Sequence, residues 1–111
     1  MNMYKVLIAD DEVSVRKLLE KSLRSSGLPI EVAAAAGDGR EAYELAMAHH
    51  PDIIVTDIAM PSMNGLELIR SLQSQGITSK NIIISGYDEF DYARTAIALG
   101  VTDYLLKPFM P

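Results

Sequence analysis

Apolar residues occur in two rhythms along this chain, and the rhythms alternate. Tyr4 to Ala9, Ile53 to Thr56 and Asn81 to Ile84 are short runs, rich in β-branched residues, without regular polar interruption. Such runs read as strands buried on both faces, the situation in a parallel sheet. Between them the apolar spacing changes to three and four. Val15, Leu18, Leu19 and Leu23 form one stripe, with Arg16, Lys17 and Lys21 off it. Ala42, Leu45, Ala46 and His49 form a second, and Leu68, Ile69 and Leu72 a third. Phe90, Ala93, Ala96 and Ile97 form a fourth, with Asp88 as its cap. Each predicts an amphipathic helix, and Gly27, Gly76 and Gly100 predict helix ends. Pro29 leads into Glu31 to Ala36, whose composition is poor strand material. Its place between two helical patterns makes it the second strand, and Val101 to Leu106 the fifth. The predicted order is β-α-β-α-β-α-β-α-β. It implies an α/β domain with a doubly wound parallel sheet, right-handed crossovers and helices on both faces.

In such a sheet all carboxyl ends of the strands lie on one edge, where ligand chemistry is placed. Strand one runs into Asp10, Asp11 and Glu12, strand three ends at Asp57, strand four at Ser85 and strand five at Lys107. Each has an ordinary explanation taken alone. Acids before a helix cap its free N–H groups and complement its dipole, for ~0.3–1 kcal/mol each. Ser85 suits a turn and Lys107 a solvated loop. Four polar endings on one edge exceed turn chemistry. Two carboxylates ~4 Å apart at an effective dielectric near 20 repel by about 4 kcal/mol, so Asp10, Asp11 and Asp57 need protons or a cation. Hard carboxylate oxygens suit Mg²⁺. One acid can then serve as a nucleophile for a phosphoryl group, with Lys107 and Ser85 meeting its charge.

Composition narrows the field. The 111 residues allow one domain. A net charge of −5 argues against direct nucleic-acid binding, which needs a basic footprint. The absence of cysteine excludes disulfides, thiolate zinc sites and cysteine nucleophiles. No apolar run approaches the ~20 residues of a membrane span, and Val6 to Ala9 meets Asp10 too soon for a secretory segment. A cytoplasmic location with no membrane partner is expected. Two motifs compete with this reading. Gly37-Asp38-Gly39-Arg40-Glu41-Ala42 matches a dinucleotide fingerprint with Asp57 downstream, and equally a capping box of Asp38 with Glu41. The dinucleotide alternative is discounted because the fingerprint normally follows the first strand. His49-His50 with Asp52 suggests metal ligands, but adjacent helical residues diverge, and histidines at a helix end complement its dipole.

Taken together, VLIADDE, IIVTDIAMPSMNGLEL, IIISGYDEF and YLLKPF resemble the receiver domain of bacterial two-component response regulators, over essentially the whole chain. The resemblance implies a flavodoxin-like five-stranded sheet of order 2-1-3-4-5. It implies that Asp57 accepts a phosphoryl group from the phosphohistidine of a sensor histidine kinase. Asp10 and Asp11 match the acidic pair serving Mg²⁺, with Asp11 a direct ligand, Asp57 another and the Ala59 main-chain carbonyl a further one. Ser85 and Lys107 match the hydroxyl and lysine that contact the phosphoryl group, and Tyr104 the ring that moves inward on activation. The Lys107–Pro108 bond matches one often cis in the family. Such a domain is not an enzyme acting on other molecules; it catalyses its own phosphorylation and dephosphorylation. Phosphorylation would shift the surface near helix four and strand five and control an output such as transcription.

SGYDEFDYARTA resembles receivers carrying an AraC-type helix-turn-helix output domain, so the expected partner is that domain or a second copy. Ala59 and Tyr87 stand at positions that vary among receivers and flank the path of a hydrolytic water. The family also ends with a fifth helix, so residues 1–111 are expected to be a receiver domain truncated before it. Losing about four buried apolar side chains at ~1.5–3 kcal/mol each compares with a domain's net ~5–15 kcal/mol. The expectation is a destabilised chain, or one that buries the bare face against a partner. The alternative function is a phosphorylation-incompetent interaction module.

Overall fold

The computed structural model describes residues 3–86 and 90–107. Its elements are β1 (Tyr4–Ala9), α1 (Val13–Arg24), β2 (Ile30–Ala36), α2 (Gly39–His49), β3 (Ile53–Asp57), α3 (Gly65–Ser74), β4 (Lys80–Ser85), α4 (Phe90–Ala98) and β5 (Asp103–Leu106). All neighbouring strands are parallel, in the order β2-β1-β3-β4-β5. This is the flavodoxin-like arrangement, in which the order reverses beside β1 and opens a crevice at the carboxyl ends of β1 and β3.

The uninterrupted apolar runs are explained by burial on both sides. Leu7, Ala9 and Ile54 pack with Ala42 and Ala46 of α2 and Leu68 and Leu72 of α3. Val6, Ile8, Val55 and Ile84 face the other way, against Leu19 of α1. A third cluster joins Ile58, Leu66, Ile69 and Ile83 to Ala96 of α4. Asp10 and Asp57 are buried where these layers meet the carboxyl edge.

Several expectations change in detail. Ile97 is 76% exposed rather than inward. The buried side of α4 runs through Tyr92 and Ala96 instead, four apart, and continues in Leu99 just past the helix end. In α1 only Leu19 is buried, and Leu18 is exposed. β5 begins at Asp103, not Val101. Val101 is used to close α4: its N–H bonds the Ala96 carbonyl (3.2 Å) across Gly100, whose φ is +75°. Asp38 caps α2 as expected, accepting from the Glu41 N–H at 2.8 Å. Glu41, however, reaches the Gly37 N–H (3.0 Å) and not that of the cap. The complete capping box lies at Asn64 and Glu67, at the start of α3. Tyr87, Asp88, Pro108 and Phe109 lie outside the described residues. Among the described residues no helix is long and apolar enough to cross a membrane.

The two competing motifs acquire structural explanations. Gly37 and Gly39 follow β2, an edge strand. The space a Cβ would need at Gly39 is filled by the Met63 carbonyl, and the Gly39 N–H donates to Pro61 (3.2 Å). That glycine allows α2 to meet the β3–α3 loop and leaves no cradle for a pyrophosphate. His50 ends α2 in a left-handed conformation, and Asp52 accepts from the Lys5 N–H at 2.8 Å. No histidine belongs to a possible metal-holding group among the described residues.

Candidate functional site

The cleft is built from the loops that leave β1, β3, β4 and β5. After β1 the Asp10 N–H bonds the Ala36 carbonyl (3.0 Å), continuing the sheet by one residue. Asp10 Oδ1 accepts from the Glu12 N–H (2.8 Å), and the Arg16 guanidinium donates to the Asp10 carbonyl (2.6 Å). The turn into α1 is thus fixed with the Asp10 carboxylate pointing into the edge. Asp57 closes β3, and its Oδ1 accepts from the Ile58 N–H at 2.7 Å. The loop beyond doubles back, with the Gly65 N–H on the Ile58 carbonyl (2.8 Å). A Cβ on Gly65 would overlap the Asp57 carbonyl, so only glycine lets α3 begin this close.

Lys107 leaves β5 with its N–H on the Ser85 carbonyl at 2.7 Å. Its ammonium lies 2.8 Å from Asp10 Oδ2, 3.0 Å from Asp57 Oδ2 and 3.2 Å from Glu12 Oε1. Asp10 Oδ2 is fully buried and has no well-directed hydrogen bond; the ammonium compensates it as a charge contact. One cation therefore serves three carboxylates. Burial pushes the Asp57 pKa above the ordinary aspartate value, and the Asp10 charge adds to the rise. Lys107 and the Ile58 N–H oppose that rise without cancelling it. Burial alone would lower the Lys107 pKa, but its contacts with Asp10, Asp57 and Glu12 prevail and hold it above the usual lysine value. Burial leads the rise at Asp57 and the carboxylate contacts lead that at Lys107, and the excess of negative charge adds to both.

That excess is what a cation would relieve. Asp10, Asp11, Glu12 and Asp57 each offer an oxygen, all within 4.8 Å of one another. Oxygens bound to Mg²⁺ at ~2.1 Å stand about 3–4 Å apart, so the spread and the oxygen-only donor set fit that ion. Asp11, Glu12, Asp57, Ala59, Gly86 and Lys107 line the open cleft.

The edge therefore brings together Asp10, Asp11, Asp57 and Lys107, with Ala59 exposed on the rim. Ser85 is buried at the end of β4, and its neighbour Gly86 reaches the cleft wall. Tyr104 lies apart, half-buried beside the cluster of α3 and α4. Two contributors escaped the reading of the sequence. In the sequence Glu12 stands out only as part of an acidic triple, and Arg16 only as a residue off an apolar stripe. The signal for Glu12 was present, since α1 begins after it and its acid is not needed within the helix.

A flavodoxin-like sheet with an acidic cleft at its β1/β3 crevice is the build of a signal receiver module. The chain belongs to the response regulator receiver domain family, whose model matches residues 6–111. The transcriptional regulatory protein YesN of Bacillus subtilis is 40% identical over 106 residues, 96% of this chain and 29% of YesN. The chain thus spans under a third of that relative. Among solved structures, the receiver domain of AraT, a response regulator from Geobacillus stearothermophilus, is 46% identical with a TM-score of 0.87. The alignment covers 96% of this chain and 82% of AraT's. The receiver domain of a NarL response regulator from Mycobacterium tuberculosis is 30% identical with a TM-score of 0.92, covering 99% and 88%.

Proposed function

We propose that residues 1–111 act as a phosphoacceptor switch in which Asp57 receives a phosphoryl group from a sensor histidine kinase. The observation that carries the reading is the buried Asp57 carboxylate, 3.0 Å from Lys107 within the oxygen cluster of Asp10, Asp11 and Glu12. An Asp57 oxygen attacks phosphorus in line. The new O–P bond forms as the donor's N–P bond breaks, and the departing imidazole nitrogen takes up a proton. Asp10, Asp11, Asp57 and the Ala59 carbonyl would hold Mg²⁺, which would supply the positive charge that the equatorial oxygens need. Lys107, freed from Asp57 Oδ2, pairs with a transferred oxygen, and the Ser85 hydroxyl donates to another. Drawing Ser85 toward the new dianion biases the α4/β5 surface, with Tyr104 as the ring that follows. The chain thereby catalyses its own phosphorylation and dephosphorylation.

YesN is a transcriptional regulatory protein, which supports an output in transcription for this chain, through an AraC-type domain or a second copy of the receiver. The absence of a long apolar helix among the described residues agrees with work in the cytoplasm. The test is intact mass after acetyl phosphate and Mg²⁺. A gain of one phosphoryl group, lost in Asp57→Asn, is expected. No gain in the wild-type chain would leave an interaction module.

A further inference from the structure

We propose that Glu12 is a fourth carboxylate of the cation site. It steadies Lys107 while the site holds no metal, and it accepts from the ion's water shell once Mg²⁺ is bound. The inference rests on the Mg²⁺ reading above and extends it to a residue that reading leaves without a task.

Glu12 is the N-cap residue of α1, with extended φ/ψ of −91° and 116°. Acids at this position ordinarily accept from an N–H of the first turn. Glu12 makes no such side-chain bond; only its main-chain carbonyl serves the helix, accepting from the Val15 and Arg16 N–H groups at 3.1 Å each. Its carboxylate turns away to Lys107, 95 residues distant in sequence, at 3.2 Å. Nearly three-fifths of that side chain remains exposed, so it stands at the mouth of the cleft rather than in its floor.

The floor gives the reason for the arrangement. Asp10 Oδ2 is buried without a directed hydrogen bond, and one ammonium meets three carboxylates with the Asp11 acid close by. The backbone beneath Glu12 is tied by its N–H, which donates to Asp10 Oδ1, and by Arg16, which donates to the Asp10 carbonyl. Glu12 is therefore a fixed negative charge beside the place a divalent ion would take. Mg²⁺ gives up its waters reluctantly, so an acid at the mouth meets the ion through water.

The test is a calorimetric or NMR titration of the whole chain with Mg²⁺ alone. Glu12→Gln should raise the dissociation constant about fivefold to tenfold, the scale for a unit charge ~6 Å from a divalent ion in a water-like dielectric with some screening. Glu12→Asp should lie between it and wild type. Glu31→Gln, which removes an equal charge from β2 at the far end of the sheet, should change affinity less than twofold. Glu12→Gln matching Glu31→Gln, while Asp11→Asn abolishes binding, would overturn the role of Glu12 and leave the metal site intact. Failure of wild type to bind Mg²⁺ would overturn both.

Discussion

Replacing Lys107 by glutamine should show how far this site is held together by one charge. The ammonium contacts Asp10 at 2.8 Å, Asp57 at 3.0 Å and Glu12 at 3.2 Å, and both aspartates are almost wholly buried. Removing one partner of a buried ion pair costs ~3–5 kcal/mol, because the other charge is left without compensation. Here the cleft opens to water and Glu12 is well exposed, so the loss should fall near the lower end, about 3 kcal/mol. With a urea slope of about 1.5 kcal/mol per M, typical of a domain this size, the midpoint should drop by roughly 2 M in EDTA. Mg²⁺ should then restore much of the loss. An ion at a hundred times its dissociation constant contributes about 2.7 kcal/mol, and the variant's more negative site should bind it at least as well as wild type. The assay is urea unfolding of both proteins with EDTA and with excess Mg²⁺. Equal midpoints in EDTA would refute the reasoning, as would Mg²⁺ stabilising wild type more than Lys107→Gln.

Two further perturbations test neighbouring parts of the site. The pKa of Asp57 is raised in the folded chain, so its ionised form disfavours folding. That penalty is absent below the unfolded value of ~3.9 and fully present above the raised folded value. In EDTA at pH 7, Asp57→Asn should therefore be more stable than wild type by about 1–2 kcal/mol, the scale of a buried charge short of partners. The difference should close as the pH falls toward about 4, and urea midpoints across that range would expose a gap that widens instead. Gly39→Ala should cost about 1–3 kcal/mol, since the new methyl meets the Met63 carbonyl. Gly37→Ala meets a side chain rather than backbone, the Arg16 guanidinium 3.1 Å away, and should cost less; the reverse order of midpoints would contradict the packing described.

How much was legible depended on whether the chemistry was local. The runs at Val6 to Ala9 and Ile53 to Thr56 announced a parallel sheet because every side chain in them except the half-buried Ile53 is buried on one face or the other. β2 was harder. Its alanines have little strand preference, and it is the neighbour β1 that makes them a strand. The pairing of Val6 with Val32 and then Leu7 with Ala34 slips a residue, which no local pattern reveals. In α4, Ile97 fits an apolar stripe, but the phase of the helix is set by Ala96 and Tyr92, which pack with Ile58, Leu66, Ile69 and Ile83. Within the site, Asp10, Asp57 and Lys107 were readable from strand ends, because topology alone gathers those ends. Glu12 was not, because its carboxylate leaves the helix it precedes uncapped and meets a lysine from the far end of the chain. The Asn64–Glu67 box has the spacing of a capping box in the sequence, as Asp38 and Glu41 do, and only the fold distinguishes the complete box from the partial one.

The lysine that balances the cleft hangs from the sheet's shortest strand, at its margin. β5 is four residues long and bonded along one side only, to β4, among the described residues. Leu105 and Leu106, just before the lysine, are both substantially open to solvent. Fraying of that margin would withdraw the ammonium and leave the aspartates facing one another. Whatever grips or releases this ribbon therefore sets the electrical load on the acids without touching them.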